Sequence, residues 1–134
     1  MDKLYDKSEI NIMVADILYN SHFYPCVCHP AYYSCIQLMK YKIKRSLNIP
    51  YEQQASETSC KYKGNTHKYL ISKVKEIIKS KKGISEASIF DRSIKDLKEI
   101  RERSDYQDID ISSTIGKKAI DIAKQVRNII NTAV

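Results

Sequence analysis

The chain has 134 residues, 43% of them hydrophobic and 29% charged, which is too apolar for an intrinsically disordered chain. It is long enough for one domain burying roughly two-thirds of its unfolded surface. Lysine and arginine number 23 against 16 aspartate and glutamate, and the net charge of +7 favours polyanionic partners. The charge is spread over Lys40–Arg45, Lys61–Lys68, Lys73–Lys82 and Lys117–Lys124, a distribution that a solvated surface also explains. No apolar run approaches the ~20 residues that cross a bilayer, and Met1-Asp2-Lys3-Leu4 opens no signal-peptide core. A cytoplasmic protein with no membrane partner is expected, with Cys26, Cys28, Cys35 and Cys60 as reduced thiols.

Apolar residues recur at helical spacing in five places and nowhere alternate as a half-buried strand requires, so the fold class is all-α. The first helix is predicted over Ser8–Ser21, with Ser8 as N-cap and Ile10, Val14, Ile17 and Leu18 as its stripe. The second begins near Tyr24 with Pro25 in its first turn, and Pro30 kinks it or delays its true start. Tyr32, Ile36, Met39, Ile43 and Leu47 share its inner face. Residues 48–65 lack periodicity and contain Pro50 and Gly64, so they read as a loop, the best candidate for a mobile or ligand-facing segment.

Thr66 is the expected N-cap of a third helix carrying Leu70, Val74, Ile77 and Ile78, which Gly83 ends. Ser88 caps a fourth with Phe90, Ile94, Leu97, Ile100 and Arg101. Ser112 or Ser113 caps the last, where Ile115, Ala119, Ile122, Val126, Ile129 and Ala133 approach a heptad seam. Without an internal repeat or a composition break, one antiparallel four- or five-helix bundle over residues 1–134 is expected.

Arg101 is the most informative position, because at 100° per residue it lies only about 20° from Phe90 and about 40° from Leu97. An arginine inside an apolar stripe needs charge partners and hydrogen bonds. One reading is an i,i+4 ion pair with Asp105 at the bundle edge, with Tyr106 packing beside it. The other is a phosphate-binding arginine at a cleft or dimer interface. Cys26, Cys28 and His29 superficially resemble a metal tract, but their spacing is not that of a zinc site, and the only distant ligands are Cys60 and His67. Neither a metal nor a cofactor is expected. His67 either packs locally or, with Lys68, meets phosphate at a helix N-terminus. No Gly-rich phosphate loop, nucleophile elbow or HExxH motif is present.

Three segments in order resemble the HEPN family (higher eukaryotes and prokaryotes nucleotide-binding). They are Ala31-Tyr32-Tyr33-Ser34-Cys35, similar to the family's AYYA run; Thr66-His67-Lys68; and Leu97 to Tyr106, similar to its LxxlRxxaDY pattern. Together they span about the whole chain. The resemblance implies an antiparallel bundle that dimerises, with Tyr32 and Tyr33 as structural or interface residues and the arginine helices meeting near the interface. Many members of the family lie beside a small nucleotidyltransferase in toxin-antitoxin or defence pairs. Others are metal-independent endoribonucleases that use an arginine followed four to six residues later by histidine. Arg101 matches the arginine, but Asp105, Tyr106 and Gln107 stand where the histidine is expected. Cleavage of RNA needs groups that move protons near neutrality, and a tyrosine with a pKa of about 10 is a poor base. The expectation is therefore a homodimer that binds nucleotide, RNA or a nucleotidyltransferase partner, with weak or no catalysis. The alternatives are a metal-independent endoribonuclease, in which Arg101 is assisted by Asp105, Tyr106, His67 or His29, and a purely structural helical dimer.

Overall fold

A computed structural model describes residues 2–107 and 110–134 of the chain. Among them are six α-helices and one short 3-10 turn: α1 (Lys3–Asn20), the turn Tyr24–Cys26, α2 (Cys28–Leu47), α3 (Tyr51–Tyr62), α4 (Thr66–Lys82), α5 (Ile84–Tyr106) and α6 (Ser113–Ala133). The all-α class is as the periodicity requires, and no described residue forms a strand. α2 packs against α1, α4, α5 and α6, so the core gathers around it. Tyr32, Cys35, Leu38, Met39 and Ile43 are fully buried there against Leu70, Val74, Phe90, Ile94, Leu97, Ala123 and Ile130. No helix is long and apolar enough to cross a membrane.

Several helix starts differ from the expectation. α1 begins five residues before Ser8, because the Asp2 carboxylate accepts from the amides of Leu4 (2.8 Å) and Tyr5 (3.3 Å). Ser8 is buried inside the helix, its hydroxyl turned back to the Tyr5 carbonyl. The expected stripe is also rotated: Ile10 and Ile17 are exposed, whereas Ser8 and Ala15 are buried. The fully buried positions of α1 are thus small residues, and Tyr5, Ile12, Leu18 and Tyr19 pack half-buried against the same core.

Pro25 occupies the separate 3-10 turn, and α2 starts only at Cys28, with Pro30 in a first turn that needs no proline amide. The largest correction is α3, a helix of 12 residues within the expected loop 48–65. Its buried side chains are Gln54 and Thr58, so it has no apolar period to read. Gln54 Nε2 instead donates to the carbonyls of Lys40 and Ile49 (3.1 Å each), and Glu57 accepts from the Tyr69 hydroxyl (3.1 Å).

Asn65, not Thr66, caps α4 by accepting from the Lys68 amide. α4 and α5 are joined by Gly83 alone, at φ 99° and ψ 176°, a region that only glycine enters without strain. α5 thus begins four residues before Ser88, which is not its cap. Ser112 does cap α6, accepting from the Ile115 amide at 3.3 Å. The seam of α6 faces inward with Ala119, Val126, Ile129 and Ala133 buried.

Candidate functional site

The side chains of Arg101, Asp105 and Tyr106 come from the last two turns of α5, those of His29, Tyr32 and Tyr33 from the first turns of α2, and that of His67 from the start of α4. The antiparallel α4–α5 hairpin brings His67 level with Arg101, and the packing of α2 on both closes the group. Arg101 is 5% exposed, as its place in the stripe requires. Its guanidinium carbon lies 5.0 Å from the Tyr32 ring centre, 5.5 Å from that of Tyr33 and 5.8 Å from that of Tyr106. Three aromatic faces therefore stabilise the cation, each contributing about 0.5–2 kcal/mol in such a setting.

Hydrogen bonding of this guanidinium is poor. Its contact with Asp105 is 3.6 Å, longer than a hydrogen bond, and buried Nε has no partner among the described residues. The same Asp105 Oδ2 accepts from His29 Nδ1 at 3.0 Å. Because a carboxylate only accepts, a proton lies on Nδ1, which directs the opposite ring nitrogen, Nε2, away from Asp105. The His29 side chain is 58% exposed, so the ring is open to solvent. Ser104, one turn from Arg101, donates to the Pro25 carbonyl (3.0 Å) and ties the end of α5 to the 3-10 turn that precedes α2.

His67 belongs to the same cluster. Its Nδ1 lies 2.9 Å from the Tyr32 hydroxyl, and its ring centre 5.8 Å from that of Tyr33. Burial, with the nearby Lys98 and Arg101 charges, lowers its pKa. Burial also pushes the Tyr32 phenol up. A protonated Tyr32 beside a neutral His67 makes the hydroxyl the donor, and the imidazole proton then sits on Nε2. Tyr33 separates the two imidazoles, with His29 4.5 Å from its ring centre on one side.

Of the residues singled out in the sequence, Arg101, Asp105, Tyr106, Tyr32, Tyr33 and His67 are thus brought together. Tyr106 is 77% exposed and borders the cluster from the solvent side. Lys68 lies outside it, lining a groove between α4 and α5. Cys26 and Cys60 are exposed and Cys28 and Cys35 buried, and among the described residues no group of three His, Cys, Asp or Glu side chains is placed to hold a cation.

Sequence reasoning missed two features. The pairing of His29 with Asp105 spans 76 residues, beyond what any local pattern encodes. Arg127 on α6 is a second buried arginine, 6% exposed, and the angular test applied to Arg101 finds it too: seven residues after Ile120, it lies about 20° away on the helix. Comparisons of the chain with protein families, with curated proteins and with solved structures find no match.

Proposed function

We propose that the chain is a HEPN-like helical protein that binds a phosphate of a nucleotide or an RNA strand at Arg101, acting as a homodimer beside a nucleotidyltransferase-type partner. The observation that carries this reading is the Arg101 guanidinium, buried and cationic, with one long ion pair and an unpartnered Nε. Leaving such a group short of acceptors costs about 1–3 kcal/mol. A phosphate oxygen supplies charge-assisted acceptors in the fork geometry that arginine matches. The exposed edges of His29 and Tyr106 border the position where such a ligand enters, and the Tyr106 ring offers a face on which a base can stack. The dimer and the nucleotidyltransferase partner rest on the sequence resemblance.

Calorimetric titration with uridine monophosphate tests the reading. Binding that weakens on the order of 100-fold in Arg101→Ala is expected, from about 1.5–3 kcal/mol for a hydrogen bond to a charged group. Equal affinity of wild type and variant, or no binding by the wild type, overturns it.

A second reading, a metal-independent endoribonuclease, is favoured by one observation. His29 Nδ1 is tied to Asp105 and its Nε2 has no hydrogen-bond partner among the described residues, an arrangement that fixes an imidazole for proton transfer beside an arginine. α2 would then supply the group that the sequence after Arg101 lacks. Incubation with RNA in EDTA decides it: cleavage is expected in the wild type and not in His29→Ala or Arg101→Ala, and equal degradation by all three identifies a contaminant and sinks the enzyme reading.

A further inference from the structure

Between α4 and α5, beside the Arg101 cluster, lies a cavity of about 340 Å³ whose charged lining is Lys68, Lys75, Lys95, Lys98 and a single acid, Asp91. Lys68 adjoins His67 in the chain, and Lys98 is one turn before Arg101 on α5. The groove therefore starts at the cluster. Lys75 and Lys95 both pair with Asp91, at 3.4 and 3.0 Å, and mark its far end; Lys98 is 3.9 Å from Glu102, and Lys68 makes no ion pair among the described residues. From Lys68 to Lys75 the groove runs roughly 10 Å at 1.5 Å per residue.

We infer that this groove is a second phosphate subsite, which carries the sugar-phosphate backbone of a single-stranded nucleic acid onward from the phosphate held at Arg101. Three features favour a strand over a mononucleotide. The cations form a row rather than one focus, so that successive phosphates are met in turn. The lining has net positive charge even with Asp91 counted. It also contains no aromatic ring, Ile71 and Ser72 providing its floor, so it offers contacts to backbone and none for stacking bases. Stacking of a base is then left to the exposed Tyr106 beside Arg101, and the groove adds affinity without sequence preference. Asp91 has a defined place in this scheme: it orients Lys75 and Lys95 and withholds part of their charge from the strand.

The inference rests on the reading of Arg101 as a phosphate site, and the test separates the two. Fluorescence anisotropy with a labelled ten-residue oligouridylate, titrated between 50 and 200 mM salt, is run beside titration with uridine monophosphate. For the double variant Lys75→Gln/Lys95→Gln the slope of log K against log salt is expected to fall by about 1.4, or 0.7 for each phosphate contact on a single strand, with roughly tenfold or greater loss of oligonucleotide affinity. Its affinity for the monophosphate should not change. Asp91→Asn should tighten oligonucleotide binding, and a thermal melt of each variant confirms folding. An unchanged slope in the double variant, or no gain in Asp91→Asn, overturns the groove while monophosphate binding leaves the Arg101 reading standing. A wild type that binds neither ligand overturns both.

Discussion

The two buried arginines have nearly the same exposure, 5% and 6%, and opposite surroundings. Arg127, on α6, donates to the carbonyls of Ser34 (2.8 Å) and Ser8 (3.4 Å) and pairs closely with Glu9, so one side chain joins α6 to α2 and α1. Arg101 has aromatic faces, one carboxylate at 3.6 Å and a nitrogen without a partner. The first is a finished structural link. In the second, stability has not been optimised, and unsatisfied polar groups of that kind concentrate where a ligand completes the bonding. Burial is the same for both arginines; the number of acceptors each one meets is what differs.

The largest expected effect separates them by stability. Arg127→Met should lower stability by about 2–3 kcal/mol, since it removes a donor from two backbone carbonyls and unties Glu9. For a chain of this size that is on the order of 10 °C in Tm. Arg101→Met should stay within about 1 kcal/mol of wild type, because a methionine of similar volume removes a poorly satisfied charge. Melting curves that rank the two variants the other way break the comparison.

A smaller effect sharpens the electrostatics around Arg101. Burial and the neighbouring Lys98 and Arg101 charges hold His67 below its ordinary pKa of 6.5. The unfolded chain then takes up a proton before the folded one does, so stability should fall as pH drops from about 6.5 through the lowered folded value and level off beneath it. Protonation would also stop Nδ1 from accepting the Tyr32 hydroxyl. Melts between pH 7.5 and 5 should show this slope flattened in His67→Gln; an identical slope would place the proton uptake elsewhere.

The smallest effect is a control remote from the Arg101 cluster. Burial raises the pKa of Asp2, but Lys44, Tyr51 and the amides of Leu4 and Tyr5 outweigh it and hold the carboxyl at about 2. Its capping stabilisation is present at neutral pH and lost as pH falls from about 4 through about 2. Asp2→Ala should cost about 1 kcal/mol at pH 7 and leave ligand affinity at Arg101 unaltered. A change in that affinity would mean the α1 end and the cluster are coupled.

How far the sequence could be read follows from what each element buries. α4, α5 and α6 bury regular apolar stripes, and their positions were legible, including the placement of Arg101 on an inner face. α3 buries Gln54 and Thr58, and α1 turns Ser8 and Ala15 inward, so a hydropathy pattern either vanishes or points to the wrong side. At the site, Arg101 with Asp105 was legible because it lies within one helix. His29 with Asp105 and Tyr32 with His67 were not, since those pairs depend on how α2, α4 and α5 dock. The basic groove was invisible for the same reason: its four lysines are scattered over 31 positions of the chain, Lys68 to Lys98, and align only once the hairpin closes.

The single-residue junction at Gly83 gives that hairpin a mechanical property. His67 lies 16 residues before Gly83 and Arg101 18 after it, so each arm is roughly 25 Å long at 1.5 Å per residue. A side chain at Gly83 would meet no atom within 4 Å, and its penalty is confined to the backbone angles. Relief of that penalty by a rotation of about 10° at the pivot moves the far ends by about 4 Å, more than the length of the His67–Tyr32 bond. The hairpin thus has the geometry of a lever, with its fulcrum at a position where a side chain would touch nothing nearby and yet would reset the spacing of the cluster at its other end.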